Sequence, residues 1–309
     1  MLALPGDERR RLLPHLLLFL VVLIWSSNTV VSKIVLRDVS PSLLALVRIS
    51  LAVLPFHLPL LLVYVRVGPP LQRAEWLRLA LIGIVGAATS ATVYTFALSM
   101  TPATYAGLMM MTGPPLTALL AWIALGEALG RERALGTLTA FVGAGLLATN
   151  GQLADPDPLI LTGSALIIGS QIAWAYYTLA SKPLLARRPP LLVLAGSHSF
   201  ALLALWPGAG LLGAWADLPS IVDWSWSLWI GVAYLAFGTT ALSQVMYIFA
   251  LRALPAAQVV SYTYLQPVLT ALLAALVLDE QPTVLTFVCG GTILFGLWLV
   301  NRPRRPKRA

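Results

Sequence analysis

Ten stretches of roughly twenty mostly apolar residues, joined by short connections, leave this chain few folds to choose from. They lie near 14–36, 41–65, 76–98, 102–125, 134–150, 159–181, 190–213, 229–251, 255–278 and 283–301. A hydrocarbon core about 30 Å thick is crossed by roughly 20 residues of helix, and helices satisfy their own backbone hydrogen bonds where no water can. An all-α membrane protein with ten transmembrane helices is therefore expected. Only 10% of the 309 residues are charged and 59% are hydrophobic, whereas soluble domains are about 25% charged. The connections carry Gly68-Pro69-Pro70, Asp155-Pro156-Asp157-Pro158 and Arg187-Arg188-Pro189-Pro190, the punctuation that ends helices, and they leave no room for a soluble domain. The basic stretch before the first apolar run resembles a signal peptide. That run, however, continues through Val31 without a small-residue cleavage site, so it is expected to stay as the first span.

Basic residues report orientation, because loops on the cytoplasmic side retain Lys and Arg. Seventeen of the 20 fall at one set of segment ends: Arg9, Arg10 and Arg11; Arg66, Arg73 and Arg78; Arg131 and Arg133; Lys182, Arg187 and Arg188; Arg252; and Arg302, Arg304, Arg305, Lys307 and Arg308. The other set holds Lys33 and Arg37 with Asp38, Asp155, Asp157, Asp217, Asp223, Asp279 and Glu280, while Arg48 lies inside a segment. Both termini are expected in the cytoplasm of a cell whose inner membrane the chain spans. The net charge of +8 then reflects topology, and no nucleic-acid partner is expected.

The chain also repeats itself. Shifted by 153, residues 94–127 match residues 247–280 at 15 of 34 positions, among them Tyr94/Tyr247, Phe96/Phe249, Pro102/Pro255, Pro114/Pro267 and Glu127/Glu280. Earlier in each half a shift of 149 pairs Trp25/Trp174, Ser32/Ser181, Lys33/Lys182 and Pro41/Pro190. A repeat of five helices, an odd number, inserts its second copy upside down, so residues 1–150 and 151–309 are expected to form two inverted five-helix repeats. Such repeats place a binding site near the midplane between them.

The segment WSSNTVVSK in the first helix, Pro-Ala-Thr-Tyr opening the fourth and Pro-Ala-Ala-Gln opening the ninth, the Pro-Pro and Gln-Pro centres of those helices and the Glu closing each resemble the EamA-like family of the drug/metabolite transporter superfamily. The resemblance covers essentially the whole chain. It implies an exporter of amino acids or related metabolites with a central cavity between two inverted bundles, and it selects no substrate.

Polar side chains in hydrocarbon are costly, so those present should face protein or a wet cavity. Trp25, Asn28 and Ser32 share one face of the first helix, and Gln171, Trp174, Tyr177 and Ser181 repeat the pattern in the sixth. The third helix offers Ser90 and Tyr94, the fourth Tyr105, Met109 and the Thr112-Gly113-Pro114 bend, the eighth Thr240, Gln244 and Tyr247, and the ninth Gln258, Tyr262 and Gln266. Trp25, Asn28, Tyr94, Met109, Trp174, Tyr177, Gln244, Tyr262 and Gln266 are the expected substrate-binding set, with amides and hydroxyls for the polar groups of a zwitterion and aromatics for a side chain. Interhelical hydrogen bonding explains the same residues without a ligand. Pro114 and Pro267 are expected helix kinks. Glu127 and Glu280, at helix ends, read as interfacial or loop-pairing groups, and Lys33 and Lys182 as anchors that snorkel.

No Asp or Glu lies mid-segment, which argues against a cation/proton antiporter and makes facilitated diffusion or exchange of a neutral or zwitterionic solute the simpler expectation; Arg48, His57 and His198 are the embedded ionisable groups, with His57 and His198 the candidates for proton coupling. Transport of hydrophobic drugs, nucleotide sugars or sugar phosphates is the first rival, though phosphate calls for several internal cations and Arg48 is the one candidate. A non-transporting scaffold is the second. The single Cys289 and the absence of Walker, GxSxG, HExxH or strand-linked GxGxxG motifs point to no enzyme, no metal and no cofactor. Gly136, Ala140, Ala144 and Ala148, four apart, would let the fifth helix approach either the glycine-rich tenth or a second protomer, so a monomer or a homodimer is expected. The other partners are a small-molecule substrate and the lipid bilayer.

Overall fold

The computed structural model describes residues 6–126, 130–253 and 262–301. Among the described residues helices lie in the expected stretches: α1 Gly6–Val35, α2 Pro41–Val67, α3 Arg73–Met100, α4 103–125, α5 Arg131–Ala148, α6 Pro158–Leu185, α7 Pro190–Leu211, α8 226–253, α9 Leu265–Leu278, which is the later part of the expected 255–278, and α10 Val284–Asn301. No strand occurs among the described residues. Seven of these helices, α1 to α4 and α6 to α8, are long and apolar enough to cross a membrane. The described parts of α9 and α10 are shorter apolar helices, and α5 opens on Arg131, Glu132 and Arg133. Pro255, Ala256, Gln258, Glu127 and the basic tail from 302 lie outside the described residues. Between α7 and α8 the chain adds a short helix, Ala214–Asp217, and a 3-10 turn, Leu218–Asp223.

Three helices contain π turns that no sequence pattern announced. In α2 the turn Val53–His57 surrounds Pro55, whose ring cannot donate to the α ladder. In α3 and α8 the turns are Ile82–Ala88 and Tyr234–Leu242, and the first, moved by 153, falls inside the second. Threonine hydroxyls take up carbonyls freed by the wider winding: Thr89 Oγ1 donates to Ile84 O at 3.0 Å and Thr240 Oγ1 to Leu235 O at 3.0 Å, both five residues back. The expected kinks sit where a helix restarts. A 3-10 turn at Met110–Thr112 interrupts α4, so Pro114 lies in the first turn of the segment beginning at Gly113. Pro267 lies in the first turn of α9, just after the turn at Tyr264. First-turn N–H groups have no intrahelical acceptor, so a proline there forfeits little. The C-terminal ends match too: α4 stops on left-handed Gly126 (φ 66°) and α9 on left-handed Asp279 (φ 56°).

The helix contacts come in exchanged pairs. Helix α3 packs on α6 and α8 on α1; α4 packs on α6 and α9 on α1; α2 meets α7, α4 meets α9, and α5 meets α10. The last contact is the closest. A Cβ built on Gly136 would stand 2.5 Å from Gly296 O, and one on Gly296 would stand 2.5 Å from Ala140 N, so the small residues of α5 seat α10 of the same chain. At the end of the bundle where the basic residues gather, Arg188 grips Glu75 with two bonds, 2.8 Å from Nε and 2.7 Å from Nη2. Those bonds hold the Arg188 guanidinium above its already high ordinary pKa.

Candidate functional site

Helix α1 touches α3, α4, α8 and α9. Its polar face is used residue by residue. Trp25 Nε1 donates to Ser243 Oγ on α8 at 2.9 Å, and its ring lies 5.4 Å from that of Tyr247. Ser26 Oγ donates to Gln266 O on α9 at 3.2 Å, and Ser27 Oγ pairs with Tyr234 OH at 2.6 Å. Thr29 Oγ1 pairs with Tyr94 OH on α3 at 2.8 Å, and Lys33 Nζ donates to Leu98 O at 2.9 Å. The interruptions are Asn28 and Ser32. Asn28 is only 9% exposed, yet its Oδ1 has no hydrogen-bond partner, and neither has the buried Ser32 hydroxyl one turn on. An unmatched amide oxygen in an apolar interior costs about 1–3 kcal/mol.

The expected binding residues fall into separate groups. Trp25 and Asn28 lie on α1, Tyr94 and the backbone carbonyl of Gln266 bond to its hydroxyls, and Tyr247 packs against Trp25. Trp174 and Tyr177 on α6 form a second group, stacked at 4.9 Å, with His198 on α7 edge-on to Tyr177 at 6.4 Å and His57 on α2 4.9 Å from His198. Met109 is fully buried with Leu98, Tyr105, Leu147, Cys289 and Ile293, in a packed core. Tyr262 pairs its hydroxyl with His15 Nδ1 at 2.9 Å, ten residues before Trp25 along α1 and so roughly 15 Å away. Gln244 is half-buried on α8. Gln171 sets its Oε1 against the restart of α4, 2.6 Å from where a Gly113 Cβ would be.

Sequence reasoning passed over several partners. Ser243, Tyr234, Thr239 and Thr29 gave no signal beyond being polar residues in apolar runs. Arg48 is spoken for: Nε and Nη2 donate to Thr240 Oγ1 and Thr239 Oγ1, each at 2.9 Å. Glu280 pairs with a helix start and not with a loop, accepting from the backbone N–H groups of Ala103 and Thr104 at 2.6 and 2.8 Å and from Thr104 Oγ1 at 2.7 Å; a carboxylate suits a helix N-terminus, here that of α4. It also lines a cavity of about 360 Å³ at the end of α1, together with Lys33, Arg37, Ser99, Leu36, Leu98 and Leu278. Both signs of charge border that mouth. Among the described residues no cluster of three or more metal-ligating side chains occurs.

The comparisons with known proteins agree with this architecture. The model of the EamA-like transporter family matches the chain twice, over residues 12–149 and 161–302. An uncharacterized transporter of Archaeoglobus fulgidus is 28% identical over 93% of this chain and 96% of its own length. A Streptantibioticus cattleyicolor protein named "probable terminal-alkyne amino-acid exporter" is 27% identical over 72% of each chain. A crystal structure 22% identical in sequence covers 93% of this chain and 94% of its own, with a TM-score of 0.60; it shows a shared fold.

Proposed function

The chain belongs to the EamA-like transporter family, and from that premise we propose that it exports amino acids or related small metabolites by alternating access. In this reading ten helices cross a bacterial inner membrane, both termini lie in the cytoplasm, and residues 1–150 and 151–309 are inverted repeats enclosing a midplane site. The two matches of the family model divide at the same place. The exchanged helix contacts, the paired π turns and the paired left-handed caps favour the same division. So does the run of basic residues at one set of helix ends.

The observation that carries the substrate class is the unmatched amide oxygen of Asn28 among matched neighbours. That oxygen accepts, which suits a zwitterion's ammonium, and the unpartnered Ser32 hydroxyl one turn on can donate to its carboxylate. Trp25 and Tyr247 supply an apolar wall. The mouth lined by Lys33, Arg37 and Glu280 presents both charges, so a zwitterion leaving along α1 meets no barrier of one sign. The relative named as an amino-acid exporter supports the same class.

Efflux from proteoliposomes loaded with labelled amino acids tests it. The wild type should move at least one of them, and Asn28→Ala should cut that flux about tenfold, the worth of one good hydrogen bond, with an unchanged yield of folded protein. Absence of flux for every amino acid would overturn the substrate class; equal flux in the variant would remove Asn28 from the site.

A further inference from the structure

Two of the chain's three histidines meet across the α2–α7 contact, their ring centroids 4.9 Å apart and their planes tilted by 45°. Both are buried, His57 at 3% exposure and His198 at 7%. His57 closes the π turn Val53–His57; the three residues before it, Leu54, Pro55 and Phe56, are exposed, and the wide turn brings the fourth side chain inward. There neither His57 ring nitrogen has a hydrogen-bond partner. His198 is better placed. Its Nδ1 lies 2.9 Å from Leu194 O, and since a carbonyl only accepts, that nitrogen carries the proton. The neutral ring therefore keeps its lone pair on Nε2.

The arrangement has room for one more proton. Neutral His57 has an N–H and a lone pair, both idle in hydrocarbon, where an unmet polar group costs about 1–3 kcal/mol. If one proton is taken from water, His57 becomes an imidazolium that can donate N–H to the Nε2 lone pair of His198, a charge-assisted bond between rings already in contact. One N–H bond forms on His57, one hydrogen bond joins the rings, and the proton returns to water when they part. We propose that His57 and His198 form a single proton-binding unit, spanning the contact between the two halves, whose occupancy is tied to the transport cycle. This rests on the transport reading above.

Titratable groups on the packed elements have partners of their own: Tyr234 of α8 pairs with Ser27, and Tyr94 of α3 with Thr29. Among the described residues Tyr177 of α6 is the further titratable side chain in ring contact with the pair. On α2, Arg48 is bound to Thr239 and Thr240, and Tyr64 lies two turns on, beside Arg188. Glu75 at the start of α3 is paired with Arg188 before α7, Asp217 of the short helix beyond α7 accepts from Ser40, and Arg73 and Arg78 sit at the charged end of α3. Tyr177, stacked on Trp174, joins the pair to the aromatic face of α6.

Two measurements decide the proposal. In isotope-labelled protein in lipid nanodiscs, the imidazole nitrogens of His57 and His198 should shift together over one pH interval, apart from the signal that His15→Gln removes. In His57→Gln the shift of His198 should vanish. In proteoliposomes, proton movement coupled to amino-acid efflux should fall about tenfold in His57→Gln or His198→Gln, as expected when a membrane-embedded ionisable group is lost, and no further in the double variant. Rings that titrate independently, or stay neutral throughout, overturn the proposal, as does wild-type proton movement in the double variant. If the wild type moves no amino acid, the transport reading fails while the nitrogen titration still judges the pair.

Discussion

Helices α1 and α6 carry the same residues at matching places and use them differently. Trp25, Thr29, Ser32 and Lys33 recur 149 positions later as Trp174, Thr178, Ser181 and Lys182. Trp25 bonds across to Ser243, and Thr29 across to Tyr94. On α6, Trp174 stacks on Tyr177 of its own helix, Thr178 Oγ1 turns back to Trp174 O at 3.0 Å, and Ser181 Oγ turns back to Tyr177 O at 2.6 Å. Lys33 is half-buried on Leu98 O, whereas Lys182 is exposed. The counterparts of α1's partners exist: Ser90 and Tyr247 stand 153 positions from Ser243 and Tyr94. In this conformation Trp25 and Thr29 of α1 are bonded across to neighbouring helices, whereas Trp174 and Thr178 of α6 are stacked or bonded within their own helix. Under the alternating-access proposal, the opposite state exchanges the two, with Trp174 reaching Ser90 and Thr178 reaching Tyr247.

The largest expected effect attacks the packing of α6 against α3. A Cβ on Gly86 of α3 would stand 2.7 Å from Tyr177 Cβ and 3.0 Å from its Cα, so no side-chain rotation relieves it and the helix itself must move. Gly86→Val should cost about 3 kcal/mol, read as a drop in the thermal unfolding midpoint in detergent. A midpoint within a degree or two of the wild type would mean that α6 is not fixed by that contact.

The next effect separates the helices by what their hydroxyls do. Tyr94→Phe strands the Thr29 hydroxyl and should cost about 1 kcal/mol, the usual size for a bond between membrane helices. Tyr247→Phe removes a hydroxyl that Thr178 does not use here, so stability should hardly change while efflux slows. Equal losses of stability in the two variants would erase the distinction between α1 and α6.

The helix positions were legible for a physical reason, since hydrocarbon enforces the length of an apolar run. Small residues four apart on α5 announced a close neighbour but left open whether it was α10 or a second protomer, and the structure places α10 there. The π turns were hidden, because a hydroxyl reaching five residues back leaves no periodicity to read. Which Trp is bonded and which is stacked was equally hidden, since Trp25 and Trp174 are the same residue in the same local sequence. Met109 and Tyr262 share helical faces with polar residues, yet one lies in a closed core and the other near His15, because face alone does not fix depth or neighbour. His57 and His198, weighed one at a time, gave no hint that they touch.

The smallest effect discriminates most finely, because it compares one residue type at matched positions. Ser181 satisfies its hydroxyl on its own backbone, a bond that offers a helix little, so Ser181→Ala should change stability by no more than about 0.5 kcal/mol. Ser32 is buried with no partner, so Ser32→Ala relieves an unmet group and should leave stability equal or slightly raised. Transport separates them further. If the Ser32 hydroxyl is kept idle for a ligand beside Asn28, its loss should weaken apparent affinity several-fold, seen as a raised half-saturating amino-acid concentration in efflux, while Ser181→Ala leaves that concentration unchanged. A destabilised Ser32→Ala with unaltered affinity would show that the hydroxyl serves packing after all, and that α1 differs from α6 only in its bonds.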